Sequence, residues 1–109
     1  MKIFALSGSA SFAVGATTAS GVTFVITAIG ANQYIGVSLA QANSVILPPV
    51  GQMTGYCVTV KDQGGNFSSF ACTIGTTASQ VIDGNATYKL TQKYQSGTFF
   101  SDGTKYWVV

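Results

Sequence analysis

Short runs of β-branched and aromatic residues recur along the whole chain, parted by clusters of Gly, Asn, Asp and Ser, so a helix has nowhere to grow. No stretch sustains apolar residues at i, i+3 and i+4, and 13 glycines lower helix propensity further. The pattern predicts an all-β protein, a single antiparallel β-sandwich or barrel-like domain spanning 1–109. Strands are expected over 2–6, 11–14, 22–29, 33–39, 44–47, 56–61, 67–74, 80–82, 87–91, 98–100 and 105–109. Gly30-Ala31-Asn32 reads as a tight hairpin connection. Pro48-Pro49 cannot donate to a ladder, so it marks a loop or crossover between possible sub-halves 1–47 and 50–109. No internal repeat stands out.

The sharpest local expectation is a hairpin around Gln63-Gly64-Gly65-Asn66. Tyr56, Val58 and Val60 line one face of its first arm, and Phe70, Cys72 and Ile74 line one face of its second. Register follows the apolar pattern when one face is buried, which predicts the pairs Tyr56:Ile74, Val58:Cys72 and Val60:Phe70. That register turns Cys72 inward and Cys57 to the opposite face, where no disulfide can form. Both thiols are then expected reduced, Cys72 as a small hydrophobe. A two-residue turn at Gly64-Gly65 would instead set the two cysteines opposite one another.

Charge narrows the function. Hydrophobic residues make up 47% of the chain and charged ones only 7%, and the polar surface is supplied by 11 Ser and 13 Thr with no Arg, Glu or His. Such a surface loses its water cheaply when it meets another protein, because few ions must be desolvated. The lysines (Lys2, Lys61, Lys89, Lys93 and Lys105) are scattered, without the clustered footprint of a nucleic-acid binder. The apolar start Met1-Lys2-Ile3-Phe4-Ala5-Leu6 meets Ser7-Gly8-Ser9 before reaching the roughly 7–15 residues of a secretory core. The longest apolar run, 22–29, is far short of the ~20 residues that span a bilayer, so no membrane partner is expected.

Candidate chemistry is sparse. Asp62, Asp83 and Asp102 each sit in or beside a Gly-containing turn, where a carboxylate bonds nearby backbone amides; a calcium site needs more oxygens close together. Without His or Glu there is no familiar base for a Ser or Cys nucleophile, and no enzymatic activity, cofactor or metal is expected. Tyr88, Tyr94, Tyr106 and Trp107 are the candidate site residues, as a platform for stacking sugars or as interface aromatics. The favoured reading has Trp107 plugging the core or a subunit interface. Asn66-Phe67-Ser68 and Asn85-Ala86-Thr87 match the glycosylation triplet, a frequent chance match.

From Ser44 onward a series of motifs appears in order: Ser44-Val45-Ile46-Leu47-Pro48-Pro49; Gly55-Tyr56-Cys57-Val58-Thr59-Val60-Lys61-Asp62 with Gly64-Gly65-Asn66; Cys72-Thr73-Ile74; Val81-Ile82-Asp83-Gly84; and Phe99-Phe100-Ser101-Asp102-Gly103-Thr104-Lys105-Tyr106-Trp107-Val108-Val109. Together they resemble a β-rich module of tailed-phage virion proteins, found in tail fibres, spikes and capsid-decorating proteins. The resemblance implies a bacteriophage structural protein located in the virion and assembled in the host cytoplasm, commonly a homotrimer. It carries over no catalytic residues.

Size selects among virion roles. A tail fibre with shaft and attachment region does not fit in 109 residues, whereas a capsid decoration or cement protein does. Its partners would be the major capsid protein and other virion proteins, held by many modest contacts. The alternatives are a tail fibre, spike or neck component touching host glycans, and a non-viral carbohydrate-binding β-module.

Overall fold

The computed structural model describes residues 11–14 and 22–109. The chain winds. From β1 (Ser11–Val14) it passes to β2 (Val22–Val25) in a second sheet, returns to β3 (Gln33–Val37) beside β1, and crosses again to β4 (Asn43–Leu47) beside β2. A third coil follows, with β5 (Cys57–Asp62) beside β3 and β6 (Cys72–Thr76) beside β4. Each of these neighbours pairs parallel. The last strands reverse direction: β7 (Tyr88–Leu90) runs antiparallel on β6, β8 (Ser96–Ser101) antiparallel on β5, and β9 (Tyr106–Val108) antiparallel on β8. Sheet A is thus β1-β3-β5-β8-β9 and sheet B is β2-β4-β6-β7.

The all-β expectation holds, with two packed sheets and, among the described residues, no helix beyond 3-10 turns at Val50–Gln52 and Thr77–Ser79. The antiparallel arrangement is corrected: it describes the closing strands only, and the wound coils are parallel, as in a short solenoid. Apolar alternation has the same period in either direction, so it carries no information on strand polarity. Connections decide. Gly30-Ala31-Asn32 is a corner between sheets rather than a hairpin, because β2 and β3 belong to different sheets. Strand 22–29 ends at Val25, 80–82 shortens to a bridge at Ile82, and 2–6 lies outside the described residues.

The core lies between the sheets. Ile35, Val37, Val58, Val60 and Phe99 point inward from sheet A to meet Val45, Leu47, Cys72, Ile74 and Leu90 from sheet B, all 6% exposed or less. Burying each large apolar side chain stabilises the fold by roughly 1.5–3 kcal/mol. Pro48-Pro49 does leave the ladder, directly after β4, yet the segments on either side of it are hydrogen-bonded in both sheets through β3–β5 and β4–β6. The Tyr106 hydroxyl donates to Pro48 O (2.7 Å) and Ser101 Oγ to Val50 O (2.7 Å), which ties this crossover to the β8–β9 hairpin.

The predicted 56–74 hairpin does not form, because β5 and β6 lie in opposite sheets. None of the pairs Tyr56:Ile74, Val58:Cys72 and Val60:Phe70 exists, and Tyr56 and Phe70 are exposed. Asp62, fully buried, supplies the reason. Its Oδ1 accepts from Asn66 N and its Oδ2 from Phe67 N, both at 3.0 Å, so the chain curls around the carboxylate instead of folding flat. Gly65 makes the bend with φ +72°, a conformation cheap for glycine. Phe67 then drops into the core, 1% exposed, and leads the chain into the other sheet.

Candidate interaction surface

The four candidate aromatics do not form one platform. Tyr106 is fully buried, its ring in the core and its hydroxyl on Pro48. Tyr88 is half-buried on sheet B, its ring edge-on to Phe99 at 5.8 Å. Tyr94 stands out from the turn between β7 and β8, and Trp107 lies on β9, 39% exposed. Of the two places expected for Trp107, core or subunit interface, the core is therefore corrected: alternation along β9 gives that place to Tyr106 and turns Trp107 outward.

Trp107 heads a row across the outer face of sheet A. It pairs with Phe100, Phe100 with Cys57, and the Cys57 N–H donates to Asn32 Oδ1 (3.0 Å). The next row on that side of the sheet pairs Thr98 with Thr59, both buried with their hydroxyls sharing a 3.0 Å hydrogen bond, and continues to half-buried Tyr34. The Trp107 indole is fixed: its Nε1 donates to Asp102 Oδ2 (2.8 Å), and Lys105 Nζ lies 5.3 Å from the ring centroid. The outer face of sheet B carries the row Thr23, Ser44, Thr73, Lys89 and the row Val25, Ile46, Gly75.

Charge is partitioned along the chain. Between Lys2 and Lys61 there is no charged residue, so coils β1–β4 carry none, and the aspartates all lie from Asp62 onward. Asp62 and Asp102 hold nearby turn amides, as the turn reading expected, whereas the Asp83 carboxylate reaches an amide distant in sequence. Asp102 Oδ1 accepts from Thr104 N and Lys105 N, and its indole bond together with these amides lowers its pKa from 3.8 to about 2. Asp83 Oδ1 accepts from Val108 N on β9.

Asp62 does more than close a turn. Besides the amides of Asn66 and Phe67 it accepts from Tyr94 N (2.9 Å), so one carboxylate joins the β5–β6 corner to the β7–β8 turn. Burial pushes its pKa up, but the amides of Phe67, Asn66, Tyr94 and Gly65 outweigh burial and hold it below the ordinary 3.8. Sequence reasoning placed Asp62 in a turn and missed this long-range bond, for which no local signal exists. The two thiols lie in different sheets and are not bridged. Cys72 is in the core, where burial and the nearby Asp62 charge push its pKa to about 12. Among the described residues no three His, Cys, Asp or Glu gather as a metal site. Neither a family model nor a curated protein matches the chain.

Proposed function

We propose that this protein is a structural subunit that works by packing against other protein, and specifically a bacteriophage capsid decoration protein. The observation that carries the contact reading is the charge-free stretch from residue 3 to residue 60, which supplies three parallel strands of sheet A up to Val60 and two of sheet B. Among its described outward side chains, Thr23, Val25, Tyr34, Ser44 and Ile46 present hydroxyls and apolar groups, which desolvate at little cost against a protein partner. The ordered motifs from Ser44 to Val109, with their resemblance to virion modules, supply the phage assignment and the finer suggestion of a homotrimer. The partner is then the major capsid protein, the location is the virion, and the role involves no catalysis.

Copy number tests the reading. Quantitative mass spectrometry of purified particles should find hundreds of copies, in fixed ratio to the major capsid protein, with loss of the protein lowering the temperature at which shells open. A handful of copies confined to the tail tip would move the protein to a fibre or neck, and absence from particles would end the phage reading. One observation favours the fibre alternative: Trp107 is a half-exposed ring immobilised by Asp102, the kind of rigid face on which a sugar stacks. Glycan-array binding that disappears in Trp107→Ala would support it.

A further inference from the structure

We infer that Asp83-Gly84 is a self-modifying site, at which Asp83 converts slowly to isoaspartate and loosens the hold on β9. It is so whether or not the protein packs against a shell.

An aspartate followed by glycine is able to close on itself, because no side chain on the glycine hinders its backbone nitrogen. The Gly84 nitrogen attacks the carboxyl carbon of Asp83 in its acid form. The carboxyl hydroxyl and the amide hydrogen leave together as water, and a five-membered succinimide results. Water then adds back. Opening at the backbone carbonyl carbon routes the chain through the former side chain, which is isoaspartate. The composition ends unchanged, and water is the only co-reactant.

The chain has two such pairs, Asp83-Gly84 and Asp102-Gly103, and the fold treats them differently. Asp102 is pinned on both sides of the reaction. Its Oδ2 accepts from Trp107 Nε1 and its Oδ1 from Lys105 N and Thr104 N. The Gly103 nitrogen, which would be the nucleophile, donates its proton to Ser101 Oγ (3.1 Å). The indole bond foremost, and then the amides, lower the Asp102 pKa from 3.8 to about 2. Its reactive acid form is thereby roughly 60 times scarcer than in an ordinary aspartate.

Asp83 has a single tie, from Val108 N to its Oδ1 (3.0 Å). The Gly84 nitrogen donates to no acceptor among the described residues. Both residues are exposed, and nothing lies within 4 Å of where a Cβ on Gly84 would sit. Asp83 also stands at φ +50°, a left-handed conformation that few residues with a side chain adopt. The extra backbone methylene of isoaspartate relaxes that constraint.

The consequence falls on the free side of β9. Tyr106 N donates to Val81 O, Asp83 N to Tyr106 O, and the Asp83 carboxylate completes this seam at Val108 N. Isoaspartate moves one carbon from side chain to backbone, which draws the carboxylate away from Val108.

The folded chain, held at neutral pH and body temperature, reads the outcome through isoaspartyl methyltransferase labelling and peptide mass spectrometry. Isoaspartate should accumulate at Asp83 at least about tenfold faster than at Asp102. In the guanidinium-unfolded chain the two pairs should react at similar rates, because the difference belongs to the fold. Aged folded protein should exchange its Val108 amide hydrogen faster than fresh protein, and Asp83→Ala should show that faster exchange from the start. If Asp83→Ala fails to fold, the aged wild type decides alone. Equal rates at the two sites in the folded chain, faster reaction at Asp102, or no isoaspartate at Asp83 would each overturn the inference. So would aged protein whose Val108 amide exchanges no faster than fresh.

Discussion

The coils of β1–β4 and the closing strands β7–β9 solve different problems with different residues. In the coils every strand meets a parallel neighbour, the core positions of β3 and β4 are aliphatic with Gln33 and Asn43 as the buried amides, and no ion appears. In the closing region the strands turn back on themselves and aspartates hold the turns through backbone amides. A coil only has to present the next coil with a matching edge. A terminus has to stop the sheet, which takes reversed strands and groups that satisfy leftover amides. Stability should therefore be concentrated where the carboxylates and buried rings of the closing region meet β5.

Substitutions that remove those groups test this contrast most severely. Phe67→Ala empties the corner between β5 and β6 and should cost about 3–5 kcal/mol in urea unfolding. Asp62→Ala leaves the amides of Asn66, Phe67 and Tyr94 without their acceptor, and about 2–4 kcal/mol should be lost. The same carboxylate gives a pH signature. Because its folded pKa lies below 3.8, its contribution is present above that pH and is lost as pH falls through the folded value. Wild-type unfolding midpoints should drop below pH 4 while those of Asp62→Ala stay flatter; equal slopes would remove Asp62 from its central place.

Smaller effects sharpen the comparison. Tyr106→Phe strands Pro48 O in the interior and should cost about 1–2 kcal/mol. Thiol labelling should modify half-exposed Cys57 in the native protein and reach Cys72 only on unfolding, since the latter is buried and stays protonated. Trp107→Ala should stay below about 1 kcal/mol, as an exposed position does. Least of all, Thr23→Lys on the charge-free coils should shift monomer stability by less than about 0.5 kcal/mol. A large loss there would mean that the coils depend on neutrality for folding itself.

Strand positions were largely legible in the sequence, because period-two alternation survives in 33–37, 43–47 and 57–62 whatever the pairing. Polarity was not. The winding has no fixed period: Ser11 sits beside Gln33, a step of 22 residues, and Gln33 beside Val58, a step of 25. Unequal steps erase the repeat that announces a solenoid. The corner at Gly64-Gly65 looked like a hairpin because glycine turns serve both, and what separates them is a carboxylate pointing inward, which composition does not reveal. On β9 the expected core position of Trp107 falls to Tyr106, since a one-residue shift of phase reverses inside and outside.

The order of strands in sheet A, β1-β3-β5-β8-β9, follows the order in which the chain leaves the ribosome. The earliest strands lie farthest from the strands that close the sheets, and the Asp62 carboxylate waits for Tyr94 before its last bond can form. Parallel pairing brings together segments distant in sequence, which is slow. A nascent chain carrying only the first coils is therefore an open-ended, ion-free stack of strands. Its safe passage depends on how quickly translation delivers the final thirty or so residues, so slow codons or truncation there should prove more damaging than the same interruption near the beginning.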